Sequence, residues 1–404
     1  MKQLKRLLYL LVFAGTGIVA DHPTVEYDPL LVVVLMVKDE ATVMVPTLEP
    51  YVKAGITHFF IFDTGSTDNT IEVTHDFFIQ NNITTFVIQQ EPFVDFATSR
   101  NRALTLAEHQ FPHACFMLMP DAEWYLVNGE KLLEYCEQEK NKKFPSYMIR
   151  ILHPGMDFYT QRLLRVDQHC RFAGVVHESI DKVTLEKVPS DVFFDLRVSH
   201  KGAAKTARRW LRDKDLLLKD HQDHPENPRT CFYLAQTFEC LGDNENAALY
   251  YRKRTNLAGW DEENYMTWYR LGGVLEQMAG AYEEEWMSAL YAYLKAYSMR
   301  PCRVEPLIKI ARHYISKGEH ALAYLFCARA CQAAYPANDV LFVEKALYDF
   351  MRHDILGQCS WYIGEYETGE NAVREALKVQ PEMPHLLRNL AFYLDKKSNI
   401  AASA

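Results

Sequence analysis

Apolar runs alternate with helical stretches over the first part of the chain. The first run, LLVVVLMV at 30–37, is apolar without alternation, which is typical of a strand buried on both faces. The other three runs are HFFIFD (58–63), TTFVIQQ (84–90) and CFMLMPD (115–121). Helices are predicted between them, at 42–54, 69–80 and 97–110. Repeated strand–helix–strand units predict a parallel sheet with right-handed crossovers.

The pattern changes near residue 205, where helical periodicity replaces the strands and continues to the end. Turn glycines recur at intervals of 38, 38 and 46 residues: Gly242, Gly280, Gly318 and Gly364. Small residues precede the first three of them where two helices would approach closely: Ala235, Gly272 and Ala311. Prolines follow three of the second helices: Pro301, Pro336 and Pro381. This self-similarity predicts loose repeats of stacked helix pairs, of the tetratricopeptide type, with an irregular helical bundle as the alternative.

The N-terminus reads as a targeting segment. Lys2, Lys5 and Arg6 precede an apolar run from Leu7 to Ala20, the layout of a secretory signal. The run is shorter than the roughly 20 residues of a comfortable membrane span, so an uncleaved signal-anchor is the main alternative. We therefore expect a secreted or secretory-pathway protein, with membrane association through residues 1–20 as a variant and a cytoplasmic location as the alternative.

Length and composition suit two folded domains. The chain has 404 residues, 49% of them hydrophobic, and we expect one domain at 25–205 and a second at 206–404. A net charge of -9 without a long basic tract argues against nucleic acid as a partner. Nine cysteines without a CxxC pair indicate neither a zinc site nor a disulfide framework. Cys327 and Cys331 are expected to be buried core thiols.

Acidic residues follow three of the predicted strands. Asp39 and Glu40 come after the first strand, Asp63 ends the second, and Asp121-Ala122-Glu123 follows the fourth. Parallel strands bring their carboxyl ends to one edge of the sheet, so these carboxylates should converge. A divalent cation, or ligand hydroxyls and amines, would offset their repulsion. Taken singly, each acid could equally serve as a turn or helix-cap residue, as Asp68 before NTIEV would.

Several blocks in order carry a family resemblance. They are LMVKDE, FIFDTGSTDNT, FVDFATSRNRALTLA, FMLMPDAEW, RLLRVDQHCRFAGVVHESI and VSHKGAAKTARRWLRD. The chain resembles family-2 glycosyltransferases of the GT-A fold, in the branch with tetratricopeptide repeats behind the catalytic domain. The motifs cover residues 30–260. The resemblance implies an α/β, Rossmann-like GT-A domain followed by an all-α tetratricopeptide-like repeat domain.

The resemblance also implies a donor site. The residues that would bind the nucleotide sugar or shape its pocket are Lys38, Asp39, Glu40, Asp63, Ser66, Asp68, Arg100 and Asn101. Arg100 would meet phosphate oxygens or form a structural salt bridge to Asp63 or Asp121. The divalent metal, Mn²⁺ in preference to Mg²⁺, would be held by Asp121, Glu123 and His200. The chain departs from the family pattern at three positions: Glu123 replaces the usual second Asp, Trp124 replaces the acid that commonly follows, and Pro120 precedes Asp121.

The catalytic base is assigned by the same comparison. Glu178, in the His177-Glu178 block, would deprotonate the acceptor hydroxyl. Asp157 in HPGMDFY is the alternative. His177 is as well explained as a structural residue.

The predicted function is metal-dependent transfer of a hexose-type sugar from a nucleoside diphosphate sugar to an acceptor hydroxyl, with inversion implied by the resemblance. The helical repeats would hold a glycan, peptide or protein acceptor. The alternative is an interaction scaffold with a degenerate transferase domain and functional repeats. A nucleotidyltransferase would need a Gly-rich basic loop after the first strand, where the chain has VKDEATV, and a dinucleotide-dependent oxidoreductase would need G-x-G-x-x-G.

Overall fold

The computed structural model of the protein describes residues 18–19, 28–153, 156–197, 203–280 and 283–403. Within them, packing divides the chain into two compact units. The first comprises Met1–His153 and Tyr159–Lys205, and the second comprises Pro154–Phe158 and Thr206–Ala404. The expected signal or anchor, except for Ile18–Val19, and the expected metal ligand His200 lie outside the described residues.

The first unit alternates strands with helices before it becomes strand-rich. Its strands are β1 (Ile18–Val19), β2 (Leu31–Val37), β3 (His58–Asp63), β4 (Thr85–Gln90), β5 (Phe116–Leu118), β6 (Trp124–Val127), β7 (Ser146–His153), β8 (Met156–Arg165), β9 (Phe172–Ala173), β10 (Ser179–Ile180) and β11 (Phe193–Leu196). Its helices are α1 (Ala41–Lys53), α2 (Thr70–Gln80), α3 (Phe96–Gln110) and α4 (Gly129–Glu139). The four strands and three helices predicted from the sequence are all present.

Nine strands form one mixed sheet, in the order β1-β4-β3-β2-β5-β8-β7-β11-β6. The predicted parallel sheet is confirmed for β4, β3, β2 and β5, which pair in parallel. It is wrong for the sheet as a whole, because β8 pairs antiparallel with β5 and β6 pairs antiparallel with β11. The carboxyl ends of β3, β2 and β5 therefore share one edge, as the acid-bearing segments require.

The second unit is a series of helices: α5 (Ala203–Asp223), α6 (Pro228–Cys240), α7 (Asn244–Thr255), α8 (Asp261–Ala279), α9 (Glu283–Met299), α10 (Glu305–Ser316), α11 (His320–Cys331), α12 (Arg352–Ile363), α13 (Tyr366–Val379) and α14 (Pro384–Ser403). From α6 onwards each helix packs against the next. The four turn glycines have φ values of +77°, +57°, +76° and +85°, and each lies between the two helices of a pair. Only glycine adopts this left-handed backbone without strain. The unit is thus a set of tetratricopeptide-like helix pairs.

The longer third interval has a structural cause. Between α11 and α12 the chain inserts an irregular segment and a π-helical turn, Leu347–Met351. Glu262 accepts hydrogen bonds from the backbone N–H groups of Val340 and Leu341, at 2.8 and 2.7 Å. The buried guanidinium of Arg303 donates to the Leu341 carbonyl at 3.2 Å. The insertion is therefore a packed part of the unit. None of the described helices is long and apolar enough to cross a membrane.

Candidate functional site

Asp63 ends β3 and organises the turn that follows it. The residue is fully buried, and its Oδ1 accepts hydrogen bonds from the N–H groups of Gly65 and Ser66, at 2.9 and 2.8 Å, and from Gln90 Nε2 at 2.8 Å. Its Oδ2 is buried without a hydrogen-bond partner among the described residues. Asp63 thus fixes the turn with one oxygen and leaves the other as an unused acceptor at the sheet edge.

The neighbouring acids Asp39 and Asp68 join two loops through hydrogen bonds. Asp39 accepts from the Thr67 N–H at 2.7 Å, and its own N–H donates to Ser66 Oγ at 2.8 Å. Asp68 accepts from the N–H groups of Ala41 and Thr70, at 3.2 and 3.0 Å. These bonds join the loop after β2 to the loop after β3. The predicted binding residues Asp39, Ser66 and Asp68 therefore have a clear positioning role, while Lys38 is exposed and Glu40 is half-buried.

Arg100 lies on the apolar face of α3. Ala97, Ala103, Leu104 and Ala107 share this face at helical spacing and belong to the core, and Arg100 is itself buried. Its Nη2 donates to Asp121 Oδ1, and its Nε lies 2.5 Å from Glu178 Oε1. The salt bridge to Asp121, one of the alternatives open for Arg100, is present. Burial lowers the pKa of Arg100, but the two carboxylates outweigh it and raise that pKa above its ordinary value.

A second buried arginine completes this cluster. Arg162 on β8 is 7% exposed, and its Nη2 lies 3.5 Å from Glu178 Oε1 and 3.7 Å from Asp121 Oδ2. Its guanidinium carbon lies 5.0 Å from the centre of the Trp124 ring and 5.3 Å from that of Phe172. Burial and the neighbouring Arg100 outweigh both carboxylates and lower the pKa of Arg162. We call Arg100, Asp121, Arg162 and Glu178 the guanidinium–carboxylate cluster.

Asn101 holds one wall of the cluster. Its Nδ2 donates to the Phe172 carbonyl at 2.8 Å, and its Oδ1 accepts from the Phe172 N–H at 2.7 Å. Both bonds fix β9 to α3, and the Phe172 ring then packs beside Arg100 and Arg162. Asn101 orders the site through Phe172.

The predicted metal set is only partly described. Asp121 lies at the edge of the sheet with a side chain 35% exposed. Burial raises the pKa of its carboxyl, but Arg100 and Arg162 outweigh it and lower that pKa. Glu123 is buried with φ +71°, and its N–H donates to Thr47 Oγ1 at 3.1 Å. The described part of the chain contains no group of three or more side chains suited to a metal, and Asp121 is already engaged by two guanidinium groups. Asp121 and Glu123 alone therefore do not form a complete metal site.

The three candidates for the catalytic region lie in different surroundings. Glu178 joins the guanidinium–carboxylate cluster, with a side chain only 6% exposed. His177 is exposed and has φ +52°. Asp157 lies near the start of β8, in the stretch that groups with the second unit.

Arg162 was not among the residues expected from the sequence. The signal was available in RLLR, where Arg162 and the core residue Leu164 lie on the same face of the strand. A charged residue at an inward-facing position calls for a partner or a function.

The protein thus combines a mixed α/β sheet, carrying charged groups at its carboxyl edge, with tetratricopeptide-like helix pairs. Neither protein-family models nor curated proteins match the sequence. Solved structures, in contrast, match part of the protein's structure. The C-terminal part of a TPR repeat-containing protein from Cytophaga hutchinsonii is 14% identical, with TM-score 0.38 over 47% of this chain and 66% of that chain. YrrB, described as a TPR protein with an unusual peptide-binding site, is 15% identical, with TM-score 0.36 over 45% of this chain and 84% of that chain. MamA is 16% identical, with TM-score 0.33 over 50% of this chain and 99% of its own.

Proposed function

We propose that the α/β unit binds a nucleoside diphosphate sugar at the carboxyl edge of β2, β3 and β5 and transfers the sugar to an acceptor hydroxyl. One observation carries the proposal: Asp63 is fully buried at this edge, and its Oδ2 has no partner in the described chain. An unused buried acceptor is costly unless a ligand donor meets it. A nucleotide base or ribose offers such donors, and the GT-A resemblance puts the nucleotide at this residue.

The other charged groups suit the rest of the donor. Arg100 and Arg162 provide cationic groups beside Asp121, where the resemblance puts the diphosphate. Glu178 remains the candidate base, although it is ion-paired with Arg100 and would have to release that contact to accept a proton. Asp157 stays its alternative. A divalent metal, Mn²⁺ before Mg²⁺, would have to displace the guanidinium groups from Asp121 before it could bind there, and the proposal does not depend on it.

The test is thermal melting of the full chain with UDP-, GDP-, CMP- and dTDP-sugars, each with and without Mn²⁺. A ligand that binds only the folded state raises the melting temperature by mass action. We expect one nucleotide to raise it, and Asp63→Asn to abolish the rise. Asp76→Asn, an exposed carboxylate on α2 beside His75, is the matched control and should retain it. If the nucleotide sugar raised the melting temperature of Asp63→Asn as much as that of the unaltered chain, Asp63 would not contact the nucleotide and the proposal would be contradicted.

Catalysis is tested separately, because the acceptor is unidentified. Release of nucleoside diphosphate from the donor that binds should occur slowly in water. The Asp121→Ala variant should lose this release while it remains folded. Equal release by the variant and the unaltered chain would contradict the transferase assignment.

A second candidate function is peptide binding by the helical repeats. Tyr362 and Phe392 are 66% and 61% exposed and border a cavity of about 210 Å³ between α12 and α14. Exposed aromatic side chains around a concavity are typical of interaction surfaces. Peptide-array binding that is lost in Phe392→Ser, with no melting response to any nucleotide sugar, would favour this scaffold function.

A further inference from the structure

Arg162 is placed by the pairing of β8 with β5. Leu163 pairs with Leu118, and the Met119 N–H donates to the Arg162 carbonyl at 2.9 Å. Arg162 is therefore held directly beside the segment that leads through Pro120 to Asp121. These hydrogen bonds fix the Arg162 backbone at the edge of the sheet, and the guanidinium contacts Asp121, Glu178 and the rings of Trp124 and Phe172.

The donors of Arg162 are not used up. Its Nε and Nη1 are buried and have no hydrogen-bond partner among the described residues. The nearest carboxylates lie closer to Arg100, with Glu178 at 2.5 Å from Arg100 and 3.5 Å from Arg162. Arg100 Nη1 is likewise buried without a hydrogen-bond partner among the described residues, but Arg100 makes the shorter contacts with both carboxylates. Arg162 is therefore the more weakly paired of the two guanidinium groups. A buried cation with unmet donors calls for a further anion.

The shape of the guanidinium narrows the choice of anion. A carboxylate grips two nitrogens on one edge of the planar group, but Nε and Nη1 do not share an edge. An anion whose oxygens extend over a longer span reaches both. A diphosphate has oxygens on two phosphorus atoms and meets this requirement better than a single carboxylate or phosphate.

We propose that Arg162 binds the diphosphate of the donor, an inference that rests on the proposed function and extends it. The rings of Trp124 and Phe172 pack against the guanidinium and keep it in place for this contact. During transfer, the bond between the anomeric carbon and the diphosphate oxygen breaks, and its electron pair stays on that oxygen. The acceptor oxygen bonds to the anomeric carbon and gives its proton to a base. Arg162 stabilises the negative charge that develops on the departing diphosphate.

The experiment measures anion binding to the full chain by titration calorimetry. The probes are inorganic pyrophosphate, inorganic phosphate, UDP, GDP, and the nucleosides uridine and guanosine. We expect pyrophosphate to bind more tightly than phosphate. We expect Arg162→Gln to weaken pyrophosphate and the preferred diphosphate by ~10- to 100-fold, the loss of a charge-assisted hydrogen bond. Binding of the nucleosides should not change.

A matched control comes from the same strand. Arg165 is equally buried, at 8% exposed, but its donors have partners in Asp167 and in the carbonyls of Glu139 and Lys140. Arg165→Gln should leave pyrophosphate affinity unchanged. If Arg162→Gln does not fold, Arg162→Lys keeps the charge and should still weaken pyrophosphate several-fold. A folded Arg162 variant with unaltered pyrophosphate affinity would overturn the inference.

The outcomes separate this inference from the proposed function. Pyrophosphate binding that depends on Arg162, without a melting response to any nucleotide sugar, supports the anion site and sinks the transferase proposal. Nucleotide-sugar binding that depends on Asp63 but not on Arg162 retains the transferase proposal and overturns the anion site.

Discussion

Gly272 on α8 tests whether the helix pairs depend on close approach. A Cβ added there would lie 2.6 Å from Cδ1 and 2.7 Å from Cε1 of Tyr293 on α9. Carbon atoms prefer about 3.5–4.0 Å, so the ring would have to move by about 1 Å. Tyr293 is fully buried, and its hydroxyl donates to Glu276 at 2.6 Å. We therefore expect Gly272→Ala to force the two helices apart.

The magnitude follows from two opposing effects. Overpacking of a rigid core costs ~1–3 kcal/mol, and replacing glycine by alanine inside a helix returns ~0.5–1 kcal/mol. The net loss of unfolding free energy should be roughly 1–2 kcal/mol. Gly273 is the matched control, because the nearest atom to an added Cβ is the Tyr293 hydroxyl, at an unstrained 3.8 Å. Gly273→Ala should instead stabilise the helix by ~0.5–1 kcal/mol.

Urea unfolding of the full chain measures both variants. Tryptophan fluorescence is the suitable signal, because five of the six tryptophans follow residue 205 and report the helical unit. The two midpoints should differ in opposite directions from that of the unaltered chain. Tyr293→Leu combined with Gly272→Ala should cost less than the two single changes together, since the clash is then removed. The reasoning is refuted if Gly272→Ala is as stable as Gly273→Ala.

Three further predictions concern single side chains. Arg303→Met should lower the unfolding free energy by ~3–5 kcal/mol in urea titrations, because it leaves the buried Glu305 carboxylate without its cation; a loss below ~1 kcal/mol contradicts this. A hydrogen bond from the Cys327 thiol lowers the pKa of Cys331 to about 6. Iodoacetamide should therefore label Cys331 faster than the exposed Cys302 at pH 7. The labelling rate of Cys331 should fall as the pH drops through about 6, because the thiolate is then protonated. Equal labelling rates would contradict the shift. Asp95 caps α3 by accepting the Thr98 N–H, so Asp95→Ala should cost ~1 kcal/mol in the same titrations, and no loss would show the cap to be dispensable.

The apolar runs predicted the central strands well because parallel strands covered on both faces have an unambiguous pattern. The antiparallel strands were missed because they lack such a clear apolar pattern. β8 reads MDFYTQRLLR and mixes charged with apolar residues, so its strand character is set by pairing with β5. β5 also ends at Leu118, earlier than the predicted run to Asp121. Pro120 has no N–H to continue the ladder, so Asp121 lies beyond the end of the strand.

The acids of the candidate site and Arg100 were expected from the sequence, whereas Arg162 was missed. Acids at strand ends stand out in a sequence, because the sheet topology alone brings them together. The pairing of Arg100 with both Asp121 and Glu178 depends on how α3 and the segment before β10 pack on the sheet, which no local pattern contains. The position of Asp63 was also predictable, but the different hydrogen bonding of its two oxygens was not. Oδ1 accepts a hydrogen bond from Gln90 on the neighbouring strand, whereas Oδ2 has no partner among the described residues.

The contact with Arg162 gives a physical reason for Trp124, where the chain departs from the family it resembles. Where that family commonly has an acid, this chain has an aromatic ring 5.0 Å from the guanidinium carbon. An acid at this position would pair with Arg162 and neutralise it, since it would be the nearest uncommitted carboxylate. A tryptophan stabilises the cation through its ring face and leaves the N–H donors free. The substitution therefore shifts the site from acid-rich towards cationic at the point where an anionic leaving group would depart.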